Sequence, residues 1–170
     1  MNIIDKNGLK YVSFVDNAFA IAGVSTRVGG FSTGAYDSLN VGINTKDTRE
    51  NIEKNRDLLY SSIAPEMQVI HLNQTHSNLI HDADTNTFKV FCDGDGLITT
   101  QTKKLLCVTI ADCGSVLFHD DQFSIACAIH CGWRGTHAGI IQEALRLLEE
   151  WTPLSNIHAY VGPMIRQASY

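Results

Sequence analysis

The sequence predicts an α+β fold in a single domain, residues 1–170, on three observations. Apolar runs of strand length alternate with turn-forming residues, a later segment repeats its apolar residues at helical spacing, and the chain can build one core. Its 170 residues fit one domain, and a compact chain of that size buries roughly 70% of its unfolded surface. A hydrophobic content of 44% with only 3 prolines argues against long disordered segments.

Taken in order, Phe19 to Val24 reads as a strand and Val28 to Gly34 as a glycine-rich loop. Asp47 is placed to cap a helix through about Tyr60, with Ile52, Leu58 and Leu59 as its apolar contacts. Met67 to Leu72 is strand-like, and so is Phe88 to Phe91 before the turn Asp93-Gly94-Asp95-Gly96. Leu105 to Ile110 is a further apolar run, ending in Ala111, Asp112 and Cys113. Val116 to His119 and Phe123 to Ile129 flank Asp120-Asp121-Gln122 and suggest a hairpin. Ile140, Ile141, Ala144, Leu145, Leu148 and Trp151 recur at helical spacing, so one helix is expected from Thr136 to Trp151. No repeat or linker divides the chain.

Charge and cysteine usage narrow the function classes. A formal charge of -5 offers no electrostatic footprint for nucleic acid, although it leaves room for a nucleoside, which lacks the phosphate backbone. The cysteines, Cys92, Cys107, Cys113, Cys127 and Cys131, form an odd set without disulfide-framework spacing. Free thiols in a reducing compartment are the fitting reading. Met1 to Gly8 carries charges and lacks the apolar stretch of a signal peptide, and no apolar run approaches membrane-spanning length. The expectation is a cytoplasmic protein without a membrane partner; the sequence assigns no oligomeric state.

The segment Ala128-Ile129-His130-Cys131-Gly132-Trp133-Arg134-Gly135 carries the most chemistry. There an apolar run ends in a histidine and turns through glycines into a helical pattern, setting an imidazole beside unpaired helix amides that suit an anion. The preceding run is expected in the same way to deliver Cys113 at a strand end, and His76 follows the run from Met67 in Asn73-Gln74-Thr75-His76. His76, Cys113 and His130 fit a zinc site of three protein ligands with an open fourth position. Spacing alone favours a plainer reading, with Cys113 a small buried hydrophobe and the histidines ordinary core or surface groups.

Together these segments resemble the YfiH-like or laccase-domain family, also called multicopper polyphenol oxidoreductases and regarded as purine nucleoside phosphorylases. The shared motifs are Thr26-Arg27-Val28-Gly29-Gly30, Ser38-Leu39-Asn40, Asn55-Arg56, Gln74-Thr75-His76, Asp95-Gly96-Leu97-Ile98-Thr99, Ala111-Asp112-Cys113, His130 to Gly135, and Gly162-Pro163. Each is weak alone, and their order is specific. The resemblance reverses the preference on the three residues: it implies zinc, rather than copper, on His76, Cys113 and His130, and mixed sheets layered between helices. It also implies phosphorolysis of adenosine- and inosine-type nucleosides, with adenosine deamination as a companion activity. Cys131, Ser115 and Met164 depart from residues common in the family, and Ala168-Ser169-Tyr170 stands where members continue with Glu-Val, so a C-terminal portion is expected to be missing.

Around the triad, Arg134 has two readings, a stem covering the helix start or a guanidinium fork for phosphate or substrate. We expect the second, with His76, Cys113, His130 and Arg134 as the catalytic set. Arg27, Asn40 and Asp95 are further candidates for substrate contact. Asp95 and Asp112 can also orient ligands from behind, and Trp133 reads as a packing residue. Three alternatives stay open. A Cys113/His130 pair could serve a cysteine hydrolase, which needs no metal; a copper-dependent polyphenol oxidase would need many more imidazoles than 7 histidines with no His-x-His pair provide; a non-catalytic nucleoside-binding module would show no turnover with phosphate.

Overall fold

β1 (Asn2–Lys6) and β2 (Leu9–Asp16) form an antiparallel hairpin closed by Asn7 and Gly8, both at positive φ, 58° and 84°. Asn-Gly is the dipeptide that such a two-residue turn favours. β3 (Ile21–Ser25) adds to the other side of β2, across an irregularity between Ser13 and Val15. This is the strand expected from Phe19; β1 and β2 were not foreseen. α1 (Arg49–Ile63) follows the glycine-rich loop. Leu59 joins Leu9, Tyr11 and Leu39 in one buried cluster, and Leu58 packs at its edge.

The structure is a computed structural model describing residues 2–85 and 92–169; the expected strand Phe88 to Phe91 lies outside the described residues. The chain divides into two compact units, Met1–Met67 and Gln68–Tyr170; the described residues hold an antiparallel sheet, a two-stranded parallel sheet, a mixed five-stranded sheet and three α-helices. The class is α+β.

In the second unit β4 (Gln68–His71) pairs in parallel with β7 (Lys104–Cys107). The main sheet runs β10-β8-β9-β6-β5, from β5 (Ile80–Asp82), β6 (Gly96–Thr99), β8 (Gly114–Asp120), β9 (Ala126–Cys131) and β10 (Ile157–Val161). β5 lies parallel to β6 and the remaining pairs are antiparallel. α2 (Trp133–His137) and α3 (Ile140–Glu149) follow β9. Ile140, Ala144 and Leu148, one turn apart, are fully buried with Ile129, Ile98, Val116 and Phe118.

Three expectations are corrected. The cap of α1 is Thr48, whose hydroxyl accepts from Asn51 N at 3.2 Å; Asp47 instead accepts from Ser32 Oγ at 2.6 Å, Asn40 Nδ2 at 3.0 Å and Thr48 N at 2.8 Å. The helix expected from Thr136 to Trp151 is two, because Gly139 enters the left-handed region at φ 89° and stops α2 after one turn. Trp151 falls past the end of α3 and is exposed. Finally, the strand from Leu105 ends at Cys107, so Cys113 belongs to the entrance of β8.

Candidate metal centre

That last shift explains how the thiol meets the imidazoles. β8 and β9 are antiparallel with Gly114 opposite Cys131 and Ser115 opposite His130, so the residue before β8 lies beside the end of β9. His76 arrives from the irregular segment after β4, with φ 59°, a conformation unfavourable for a side chain with a Cβ and held only by surrounding contacts. The possible ligand atoms of His76, Cys113 and His130 all lie within 4.8 Å of one another. The imidazoles of His76 and His130 meet edge-on, centroids 4.9 Å apart.

Asp95 organises this cluster from beneath. It is 0% exposed, and one oxygen accepts from Ser77 N at 2.6 Å, Ser77 Oγ at 2.8 Å and Thr75 N at 3.1 Å. The other accepts from His76 N at 3.1 Å and bonds His130 Nδ1 at 2.8 Å. A carboxylate in that position draws the imidazole proton to Nδ1 and leaves the Nε2 lone pair for a metal. Burial alone would raise the Asp95 pKa; the hydrogen bonds from His130, Ser77 and Thr75 outweigh it and hold the carboxyl well below the usual carboxylate range.

Two glycines make the close approach possible. A Cβ on Gly132 would stand 2.5 Å from His76 Nδ1, and one on Gly135 would stand 2.5 Å from Ser77 O. Both belong to the motif after His130, and both let α2 lie against the His76 turn. Side chains there would displace the ligand.

The donor set fits a metal. His76 Nδ1 is buried and, among the described residues, has no hydrogen-bond partner, an arrangement that ordinarily carries a desolvation penalty. Desolvation, then the charges of Asp112 and Asp95, push the Cys113 thiol up. Those conditions oppose a free thiolate nucleophile and would be reversed by a bound cation. Two imidazoles and one thiolate suit zinc with an open position, and the same set occurs with copper.

Arg134 is in the first turn of α2, exposed, its guanidinium 4.9 Å from the centroid of the Trp133 ring. Among the described residues that guanidinium has no hydrogen-bond partner. Trp133 is 57% exposed, which corrects its reading as a packing residue. With α2 only one turn long, no long-helix dipole supports an anion at this point.

Arg27 and Asn40 belong to the first unit. Arg27 Nε donates to Asp37 O. Asn40 donates to Thr45 Oγ1 and Asp47, each at 3.0 Å, and accepts from Gly42 N at 3.1 Å, so its amide is occupied within its own loop. Sequence reasoning did not find Gln74 or Ser77 as parts of the site. Proximity to His76 was the available signal, and only the fold shows what they bond.

The family described as multi-copper polyphenol oxidoreductase laccase matches residues 21–170. The chain belongs to this family. Among relatives, it is 35% identical to a purine nucleoside phosphorylase of Bacteroides thetaiotaomicron over 98% of this chain and 66% of that one. It is 31% identical to a purine nucleoside phosphorylase of Clostridium acetobutylicum over 100% of this chain and 66% of that one. Among solved structures, YlmD from Geobacillus stearothermophilus superposes with TM-score 0.83 at 29% identity, covering 98% of this chain and 66% of that one. The Neisseria meningitidis protein NMB0706 superposes with TM-score 0.81 at 30% identity, covering 91% and 63%. The chain thus spans 66% of the length of each of these two phosphorylases. No helix among the described residues is long and apolar enough to cross a membrane.

Proposed function

We propose that this chain carries the metal centre of a zinc-dependent purine nucleoside phosphorylase. The observation that supports it is the convergence of one thiol and two imidazoles within 4.8 Å, braced by the buried Asp95. The relatives' names supply the substrate class, purine nucleosides and inorganic phosphate, with adenosine and inosine the first to try. Zinc on His76, Cys113 and His130 would supply Lewis acidity.

In phosphorolysis the ribose C1′–N9 bond breaks, a phosphate oxygen bonds to C1′, and the departing base gains a proton. Arg134 is assigned to phosphate, since a guanidinium fork matches two of its oxygens. Asp95 is assigned to orienting His130 and His76 rather than to substrate, because it has no exposed surface. Arg27, with Nε held by Asp37 O, and Asn40, which shapes its own loop, are kept as candidates for substrate contact. Deamination of adenosine to inosine, water replacing ammonia at the purine amino carbon, is proposed as a companion activity. All the cysteines are free, which supports a cytoplasmic setting.

The runner-up is a cysteine hydrolase, favoured by the line Cys113, His130, Asp95. It gives His76 no role and meets a thiol whose pKa is raised. Metal analysis separates the two: zinc bound by the wild type and lost in Cys113→Ala supports the centre, and unchanged zinc in that variant refutes it. Products from adenosine and inosine, with and without phosphate, test the activity. The comparison includes a chain extended over the part of the relatives' length not spanned here. Free base and ribose 1-phosphate should appear only with phosphate; no consumption of any purine nucleoside by either chain overturns the reading.

A further inference from the structure

The three ligands sit on three separate segments, and a defined metal site needs each pairwise distance fixed. Two of the three edges are secured by contacts already described. Asp95 spans His76 to His130, with one oxygen on His76 N and His130 Nδ1. The β8–β9 register spans His130 to Cys113, since Ser115 lies opposite His130 and Gly114 opposite Cys131.

The third edge, His76 to Cys113, starts from the parallel pairing of His71 with Cys107, and past that pair Gln74 carries it across. Gln74 Nε2 donates to Thr109 O at 2.8 Å, and Gln74 Oε1 accepts from Thr109 N at 2.7 Å. The primary amide thus copies the paired bonds of a strand neighbour, clamping the irregular segment between β7 and β8 that leads into Cys113. Asn73 is tied to the opposite side, with Nδ2 on Asp93 Oδ1 at 2.6 Å and N on Cys92 O at 3.0 Å. Ile165 N also donates to Asp112 O at 3.1 Å, a tether of the Cys113 segment that does not reach the His76 segment.

We infer that Gln74 is a positioning residue for the metal centre, setting the separation between Cys113 and His76 through its two bonds to the Thr109 backbone. The inference rests on the reading that the triad holds a metal. Glutamate at this position keeps the shape but replaces the donor to Thr109 O with an acceptor; asparagine keeps both functions but falls one methylene short.

Cobalt(II) is the probe, because its visible bands report the ligand field and a thiolate ligand adds a charge-transfer band. Apparent cobalt and zinc affinities would be measured by chelator competition for wild type, Gln74→Glu, Gln74→Asn and Leu148→Val, the last a control in the α3 core cluster. Removing a group that orients metal ligands commonly weakens affinity 10- to 100-fold, and about tenfold is expected for either Gln74 variant, with a weakened thiolate band relative to the ligand-field bands. Leu148→Val should lower thermal stability and leave both readouts unchanged. Wild-type affinity and band in a folded Gln74 variant overturn the inference. If Gln74→Glu fails to fold, Gln74→Asn decides alone, and absence of the thiolate band in wild type refutes the metal reading itself.

Discussion

Replacing Asp95 by asparagine keeps the side chain's shape and removes its charge, so it isolates the role of the carboxylate. If the amide nitrogen takes the position of one oxygen, it faces the N–H groups of Thr75 and Ser77; at the other it faces those of His76 and His130. Either way two donors aimed at the buried side chain lose their acceptor. Each carries a penalty of about 1–3 kcal/mol, giving a loss of about 4 kcal/mol in the metal-free protein, comparable to breaking a buried charged pair. His130 can relieve one clash by moving its proton to Nε2, which removes the lone pair needed by a metal, so zinc affinity should also fall 10- to 100-fold. Urea unfolding under chelation gives the first number and chelator competition the second. A stability loss under about 1 kcal/mol together with zinc binding within twofold of wild type would refute the reasoning.

Gly132→Ala should weaken zinc binding at least tenfold by chelator competition without a backbone penalty, because φ -69° and ψ 155° suit any residue while the added Cβ meets His76 Nδ1. Arg134→Lys should raise the phosphate concentration for half-maximal turnover several-fold and leave zinc content and melting temperature unchanged; unchanged phosphate dependence removes Arg134 from anion binding. Asp84 bonds Lys104 Nζ at 2.8 Å. Burial raises its pKa, but Lys104, Thr99 and Thr100 together bring it to about 2 from 3.8. The folded value is depressed, so this carboxylate contributes about 2 kcal/mol that is fully present above pH 4 and lost as pH falls toward 2. Urea unfolding of wild type and Asp84→Asn should therefore differ at pH 6 and converge at low pH.

Local pattern carried much of this chain. The apolar runs at Gln68–His71, Gly114–Asp120 and Ala126–Cys131 are strands, and Ile140, Ala144 and Leu148 form the buried stripe their spacing implied. His76, Cys113 and His130 were also legible, although only through motif order, since their spacing permits unrelated roles. What sequence did not disclose lies in contacts without a local signature. Gly139 interrupts an unbroken apolar period because the chain takes a left-handed φ there, and periodicity reports burial rather than dihedral angle. Asp95, in a glycine-rich turn, has the composition of a surface bend, yet the fold surrounds it with donors from Thr75 to Ser77 and His130. Gln74 meets Thr109 only because the β4–β7 pairing brings their segments together. Residue types and their order determined which groups can bind a metal; strand register and long-range hydrogen bonds, which join residues distant in sequence, decided that three of them meet and what holds them there.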